Sequence, residues 1–185
     1  MDGKIKACLA AGVVVALLIS GTPVFGQQRH SRVNEKGAAG YFTTGVGWIL
    51  ESGDSSIVYS AGGGGHSIRN RWILGGEGHS SFGPEYAGGF GFFDLGYLLL
   101  GTDLILVYPV LGLGGGAMTS DVSSTVSKCA LLNPGVGLDF LVSVKGKAGL
   151  LIGVRAGYTF TVYSNTFDWS MPYIRLVAGG YGFGE

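Results

Sequence analysis

The chain has 185 residues, of which 46% are hydrophobic and only 13% charged, with 12 basic residues against 12 acidic ones. Ordinary soluble domains carry roughly 25% charged residues, so this chain meets little water for its size, and it shows no basic face for nucleic acid. Glycine is extreme at 36 residues while proline is only 5; with no G-X-Y period, that excludes collagen and argues against a Pro/Gly linker.

Lys4 and Lys6 make a basic n-region, and residues 7–19 form an apolar run of signal-peptide length. Ser20-Gly21-Thr22-Pro23 breaks it, and Val24-Phe25-Gly26 offers small residues before Gln27, so cleavage is expected near Gly26. The mature chain then stays close to neutral and keeps one cysteine, Cys129, which rules out an intrachain disulfide framework. Cys129 reads as a filler residue in a loop. Residues 27–40 are polar and patternless, a flexible N-terminal segment; the folded domain is expected over 41–185.

Eight runs with β character follow. In 41–50, Phe42, Val46, Trp48 and Leu50 share one face and Thr43, Gly45 and Gly47 the other. The run 57–69 is weak because Gly62 to Gly65 carry no side chains. After a tight turn at Asn70, 71–80 puts Trp72 and Leu74 outward and Arg71, Glu77 and His79 inward. In 86–100, Phe93, Leu95, Tyr97 and Leu99 oppose Phe92, Asp94 and Gly96. The run 103–117 is apolar on both sides. In 131–144, Leu132, Val136, Leu138, Phe140 and Val142 face out, while Asn133, Gly135, Gly137, Asp139 and Ser143 face in.

The clearest pattern is 150–162. Leu150, Ile152, Val154, Ala156, Tyr158, Phe160 and Val162 alternate with Leu151, Gly153, Arg155, Gly157, Thr159 and Thr161. Period 2 over so long a stretch is a β-strand with an apolar side and a small or polar side, as a transmembrane barrel wall requires. Residues 172–182 form the eighth run.

The expected connections alternate long and short. The longer ones are 51–56, 81–85, Met118 to Ala130, and 164–171; the shorter ones lie near Asn70, at Gly101-Thr102 and at 145–147. Alternate connections of an up-and-down barrel lie at the same end, with short turns inside and longer loops outside. Residues 95–113 could instead be a membrane helix by hydropathy. Asp103 near mid-span would cost about 2.5–3.5 kcal/mol, and Pro109 and Gly114-Gly115-Gly116 disfavour a helix interior. Gly112-x-Gly114-x-x-Ala117 mimics a dinucleotide fingerprint, but no following helix or βαβ spacing supports it.

Alternation predicts an interior charge network of Arg71, Glu77, Asp94, Asp139, Arg155 and Arg175, three of each sign. Buried charges are tolerable only when paired, so a structural filling is expected. Glu77 with His79 is the first pair to test for acid–base work. His30, His66 and His79 lack metal-ligand spacing, so neither a metal nor a cofactor is expected. Trp48, Trp72, Tyr97 and Tyr158, with Tyr108 and Tyr173, are candidates for interfacial aromatic belts.

With strands, turns and interior charges in place, the chain resembles the small eight-stranded outer-membrane barrels of the OmpA/OmpX type. Residues 70–78, 108–116, 153–160 and 172–180 also resemble a group of uncharacterised, glycine-rich secreted barrel proteins, which supplies no catalytic residues. Such barrels usually finish on an aromatic residue, whereas this chain ends Gly182-Phe183-Gly184-Glu185.

The expected fold is therefore all-β, an eight-stranded antiparallel up-and-down barrel of transmembrane type. The expected role is non-enzymatic, structural or in surface interaction, in the outer membrane. Its partners would be outer-membrane lipid and an extracellular or envelope partner at the Met118 to Ala130 loop. One alternative is a secreted, soluble, lipocalin-like barrel for a small apolar ligand, which requires the apolar face to point inward. The other is a lipid-modifying enzyme using Glu77, His79 or a loop serine.

Overall fold

In the computed structural model, residues 36–51, 54–120, 125–145, 147–166 and 168–184 are described. The expected signal peptide, residues 1–26, lies outside them, as does nearly all of the lead-in before Gly37. The strands are β1 (Gly37–Glu51), β2 (Asp54–Arg69), β3 (Trp72–Phe82), β4 (Tyr86–Tyr97), a two-residue β5 (Leu100–Gly101), β6 (Ile105–Ser120), β7 (Thr125–Lys145), β8 (Ala148–Ser164) and β9 (Met171–Phe183). β1 starts at Gly37, so the last four residues of the expected 27–40 lead-in belong to the sheet.

Successive long strands pair antiparallel, β4 reaches past β5 to pair with β6, and β1 pairs with β9. The sheet is thus a closed, eight-stranded, antiparallel barrel, and closure removes the unpaired edges that an open sheet would expose. No helix among the described residues is long and apolar enough to cross a membrane. Residues 95–113 instead form the end of β4, the short β5 and the first half of β6. Pairing of β4 with β6 stops at Gly96 and Val110. The next residue of β6 is Pro109, which has no N–H to continue the ladder.

The ends of the barrel follow the expected order, but the connections differ in length. β1 and β2 stay paired up to Glu51 and Asp54, and β6 and β7 up to Ser120 and Thr125. Two expected long loops are therefore mostly strand, and Cys129 is a buried strand residue rather than a loop filler. At the opposite end the Gly101-Thr102 turn is a longer connection, 98–104, organised by Thr102. Its Oγ1 accepts hydrogen bonds from Ile105 N at 3.0 Å and Leu104 N at 3.3 Å.

Between β2 and β3 only Asn70 and Arg71 separate the paired residues Arg69 and Trp72. Both have left-handed backbone, with φ of 50° and 69°, as a two-residue hairpin of type I′ requires. Arg71 is consequently an exposed turn residue and not an interior charge, which corrects the expectation from alternation. Left-handed backbone costs a side-chain-bearing residue roughly 1–2 kcal/mol. Arg71→Gly is expected to raise stability by about 0.5–1 kcal/mol, read as a higher midpoint in thermal unfolding of the detergent-solubilised barrel.

Period 2 governs the wall. In β8, Leu150 and Ile152 are 54% and 56% exposed, while Leu151 and Arg155 are 1% and 4% exposed. The inward side is not polar throughout. Ile68, Ile73, Leu98, Leu106, Leu151 and Phe183 belong to an apolar cluster at the end of the Asn70 turn. Ile49, Val58, Phe90, Met118, Leu131 and Trp169 belong to a second one at the other end. Charged and polar side chains lie between these two plugs.

Candidate functional site

The interior polar site is assembled by the consecutive strands β8 and β9 and by β3, which is distant from them in sequence. Arg155 of β8 and Arg175 of β9 are cross-strand neighbours. Like charges opposite one another destabilise a sheet, so this pairing requires a counter-charge. Glu77 of β3 supplies it from across the lumen: Arg175 Nη1 donates to Oε1 at 2.7 Å, and Arg155 Nη1 donates to Oε2 at 3.0 Å. All three side chains are buried, where charge-assisted bonds are strong and unpaired charge is costly.

Aromatic rings complete the shell. Arg155 Nη1 also donates to Tyr41 Oη at 2.7 Å, and its guanidinium lies 4.2 Å from the Tyr41 ring centre. Arg175 sits 4.2 Å from the centre of the Tyr173 ring. Cation–π contacts of this kind are worth more when desolvated. His66 Nδ1 lies 3.5 Å from Arg155 Nη2, and His79 Nε2 lies 3.1 Å from Glu77 Oε1 and 3.2 Å from Arg175 Nη1. Asp139 accepts a hydrogen bond from Tyr108 Oη at 2.8 Å. Asp94, also buried, faces the lumen between Gly75 and Gly112.

Of the six charges expected inside, five are there and Arg71 is not. The network is therefore three carboxylates and two guanidiniums rather than three of each. Tyr41, His66, Tyr108 and Tyr173 are interior members that sequence reasoning did not place. The parity of Tyr41 with Thr43 and of Tyr173 with Arg175 was the available signal. Tyr108 and Tyr173 leave the expected belt for this reason: they point inward and are 1% and 5% exposed. Trp72 and Tyr97 do face outward, edge to face at 5.3 Å beside the Asn70 turn. Trp48 and Tyr158 are half-buried, on the outward parity of β1 and β8 near the opposite end.

Glu77 and His79 have the separation of an acid–base pair, yet both Glu77 oxygens are occupied by arginine. Apolar clusters lie on either side of the pair along the lumen. Among the described residues no group of three or more His, Cys, Asp or Glu could hold a metal ion. The lipocalin-like arrangement is contradicted, because Arg155 and Asp139 are buried at 4% and 0% while leucines and isoleucines cover the outside.

At the rim, residues 118–120 and 125–130 of the stretch Met118 to Ala130 are paired strand rather than loop. Met118, Ser127 and Cys129 point into the barrel, while Thr119, Val126 and Lys128 are exposed. The neighbouring 165–170 connection is tied to it: Asn165 Oδ1 accepts from Lys128 N at 2.7 Å. Trp169 turns inward from this connection, fully buried, with Nε1 donating to Ser127 Oγ at 3.4 Å and its ring edge-on to Tyr86. Trp169 thus fills the lumen beneath the described part of the rim, where hydroxyl, amide, apolar and charged groups, Lys128 among them, face outward.

No protein-family model and no curated protein matches the chain. Among solved structures, Neisserial surface protein A (NspA) matches with a TM-score of 0.56 at 14% identity, covering 80% of this chain and 96% of that one. Ail, the attachment invasion locus protein of Yersinia pestis, matches with a TM-score of 0.43 at 14% identity, covering 80% and 98%. In complex with the heparin analogue sucrose octasulfate, Ail matches with a TM-score of 0.45 at 15% identity over the same shares. The NspA match shows the fold, and the architecture is that of a small eight-stranded barrel of the OmpA/OmpX kind.

Proposed function

We propose that this chain is an outer-membrane β-barrel with a non-enzymatic role, acting as a structural wall element or through contacts made at its rim. The observation that carries the reading is the reversed distribution of side chains. Phe42, Leu113, Leu150, Ile152, Val162 and Leu176 are each more than half exposed, while Glu77, Arg155 and Arg175 are enclosed. A soluble monomer rarely presents apolar patches larger than a few hundred Å²; hydrocarbon around the wall removes that difficulty. Outward aromatics near both ends support the same placement, as does the export signal expected from the N-terminal sequence.

The plugged lumen supports a role other than a general pore, since eight strands enclose only enough space for side chains. Lipid is then the partner of the wall. The partner of an envelope or extracellular contact would meet the rim ends of β6 and β7, with Thr119, Val126 and Lys128, beside Tyr163 and Asn165. A fold shared with a protein named for its surface location is consistent with this reading.

The test is fractionation combined with gel mobility before and after heating. The folded chain is expected in the outer-membrane fraction and to run faster unheated than boiled. Recovery of the mature chain from the soluble fraction without detergent would overturn the proposal.

A further inference from the structure

The charges outside the lumen separate by end. At the end of the Asn70 turn, Lys36, Arg69, Arg71 and Lys147 are all exposed. Backbone pairing sets them along one arc of the ring. Gly37 of β1 lies opposite Ile68 of β2, so Lys36 and Arg69 are the next residues on neighbouring strands. The end of β9 joins Lys36 to Lys147: Gly184 N donates to Lys36 O at 2.8 Å, and Phe183 N donates to Lys147 O at 2.9 Å. Arg71 follows Arg69 in the turn to β3. The arc therefore runs over β3, β2, β1, β9 and β8, about 19 Å at the usual strand spacing.

Among the described residues, none of the four forms an ion pair. The exposed acid described at this end, Asp103, belongs to the 98–104 connection between β4 and β6, on the opposite side of the ring. By sequence, Lys145 ends β7, Arg29, Arg32 and Glu35 precede β1, and Glu185 follows β9. The other end has the reverse balance: its connections and strand ends carry Glu51, Asp54, Glu85, Asp121 and Asp168 against Lys128.

The height of the arc narrows its partner. Arg69 is the cross-strand neighbour of Trp72, which packs edge to face with Tyr97 on the outside of the wall. Outward Trp and Tyr sit at headgroup level. Lys and Arg lay their aliphatic stems along an apolar wall and keep the charge in the interface. Exposed Leu74 and Leu150 continue the wall on the hydrocarbon side. The anion available at that height is a lipid phosphodiester. Arg69 and Trp72, like Lys145 and Ala148, are joined by two-residue turns; short turns face the periplasm in such barrels, which favours the glycerophospholipid leaflet.

We propose that this arc is a docking surface for anionic glycerophospholipid, holding the headgroup phosphate against Lys36, Arg69, Arg71 and Lys147. Each Lys or Arg near an anionic membrane surface strengthens attachment about fivefold, and guanidinium adds paired donors to phosphate oxygens. The inference rests on the membrane placement proposed above and names the lipid class and the end of the barrel that binds it.

The test is an amide chemical-shift titration of the folded, mature barrel in phosphocholine micelles with short-chain phosphatidylglycerol. Gly37, Arg71 and Ala148 are expected to shift saturably, while Thr119, Val126 and Lys128 at the other end stay in place. Phosphatidylcholine of the same chain length should move none of them. Salt at about 1 M, where the screening length is about 3 Å, should abolish the shifts. The variant Lys36→Gln, Arg69→Gln, Arg71→Gly, Lys147→Gln should bind about tenfold more weakly or worse, and Lys128→Gln should bind as the wild type does. Arg71→Gly alone, with an expected loss of about fivefold, and the salt dependence decide the matter if the fourfold variant does not fold. Equal shifts at both ends, equal binding of phosphatidylcholine, or unchanged binding in the variants or in high salt would overturn the proposal. The same shifts with inorganic phosphate or soluble polyglutamate would assign the arc to a soluble anion and overturn it too. A barrel folded in micelles without this lipid preference overturns the arc alone, whereas a mature chain soluble without detergent overturns the membrane placement beneath it.

Discussion

Glu77→Ala is expected to abolish the folded barrel. Glu77 is the carboxylate that both guanidiniums share, with bonds of 2.7 Å and 3.0 Å. Removing it leaves Arg155 and Arg175 buried, adjacent across β8 and β9, and mutually repulsive. Breaking one buried pair by deleting a partner costs about 3–5 kcal/mol, against a total stability of about 5–15 kcal/mol for a domain. Here two pairs go at once. The expected result is a chain that no longer shows heat-modifiable mobility. Glu77→Gln keeps a hydrogen-bond acceptor but not the charge, and should fold with a strongly lowered midpoint. A fully apolar replacement, Glu77→Leu with Arg155→Met and Arg175→Met, should recover folding, because compensated removal of buried charge is often neutral or stabilising. A wild-type midpoint in Glu77→Ala would show that the network does not support the fold.

Gly137→Leu is expected to be as damaging, for a steric reason. Gly137 faces the lumen beneath the Tyr108 ring, and a Cβ at that position would collide with the ring's Cζ, Cε2 and Oη. The ring cannot swing away easily: it is 1% exposed, and Asp139 Oδ2 holds its hydroxyl at 2.8 Å. Overpacking a core typically costs about 1–3 kcal/mol, and this substitution adds loss of the Tyr108–Asp139 bond. Gly78 is the matched control. It faces outward, and the nearest heavy atom to a Cβ there is Phe90 O at 3.8 Å, so Gly78→Leu should fold normally. Tyr108→Ala in the Gly137→Leu background should restore part of the lost stability. Normal folding of Gly137→Leu alone, measured by heat-modifiable mobility, would refute the close-contact account.

The wall of the barrel was legible because alternation is a local property of an extended chain. Residues 150–162 declare their two sides without reference to any other strand, and so do 92–97. The signal weakens where a run is apolar on both sides. In β6, nothing local distinguishes Tyr108, which fills the lumen, from Leu111, which faces outward. Alternation also cannot be carried through a reversal. At Asn70 and Arg71 both φ values are positive, so alternation places Arg71 inside while the turn holds it in solvent. The loops expected from composition are longer than the observed ones for a related reason. Thr and Ser in 118–130 suit a loop by composition, and only cross-strand pairing of β6 with β7 makes 118–120 and 125–130 part of the wall.

What the amino-acid sequence determined by itself is therefore the strand type, the chain order of the strands and the sidedness of most of them, because each follows from backbone geometry over a few residues. The tertiary structure alone decided which inward groups meet. Glu77 reaches Arg155 and Arg175 only because β1 closes on β9 and the registers set those residues at one height in the lumen. Closure and register depend on pairing around the whole ring, and no single stretch of chain encodes the level at which two distant side chains arrive.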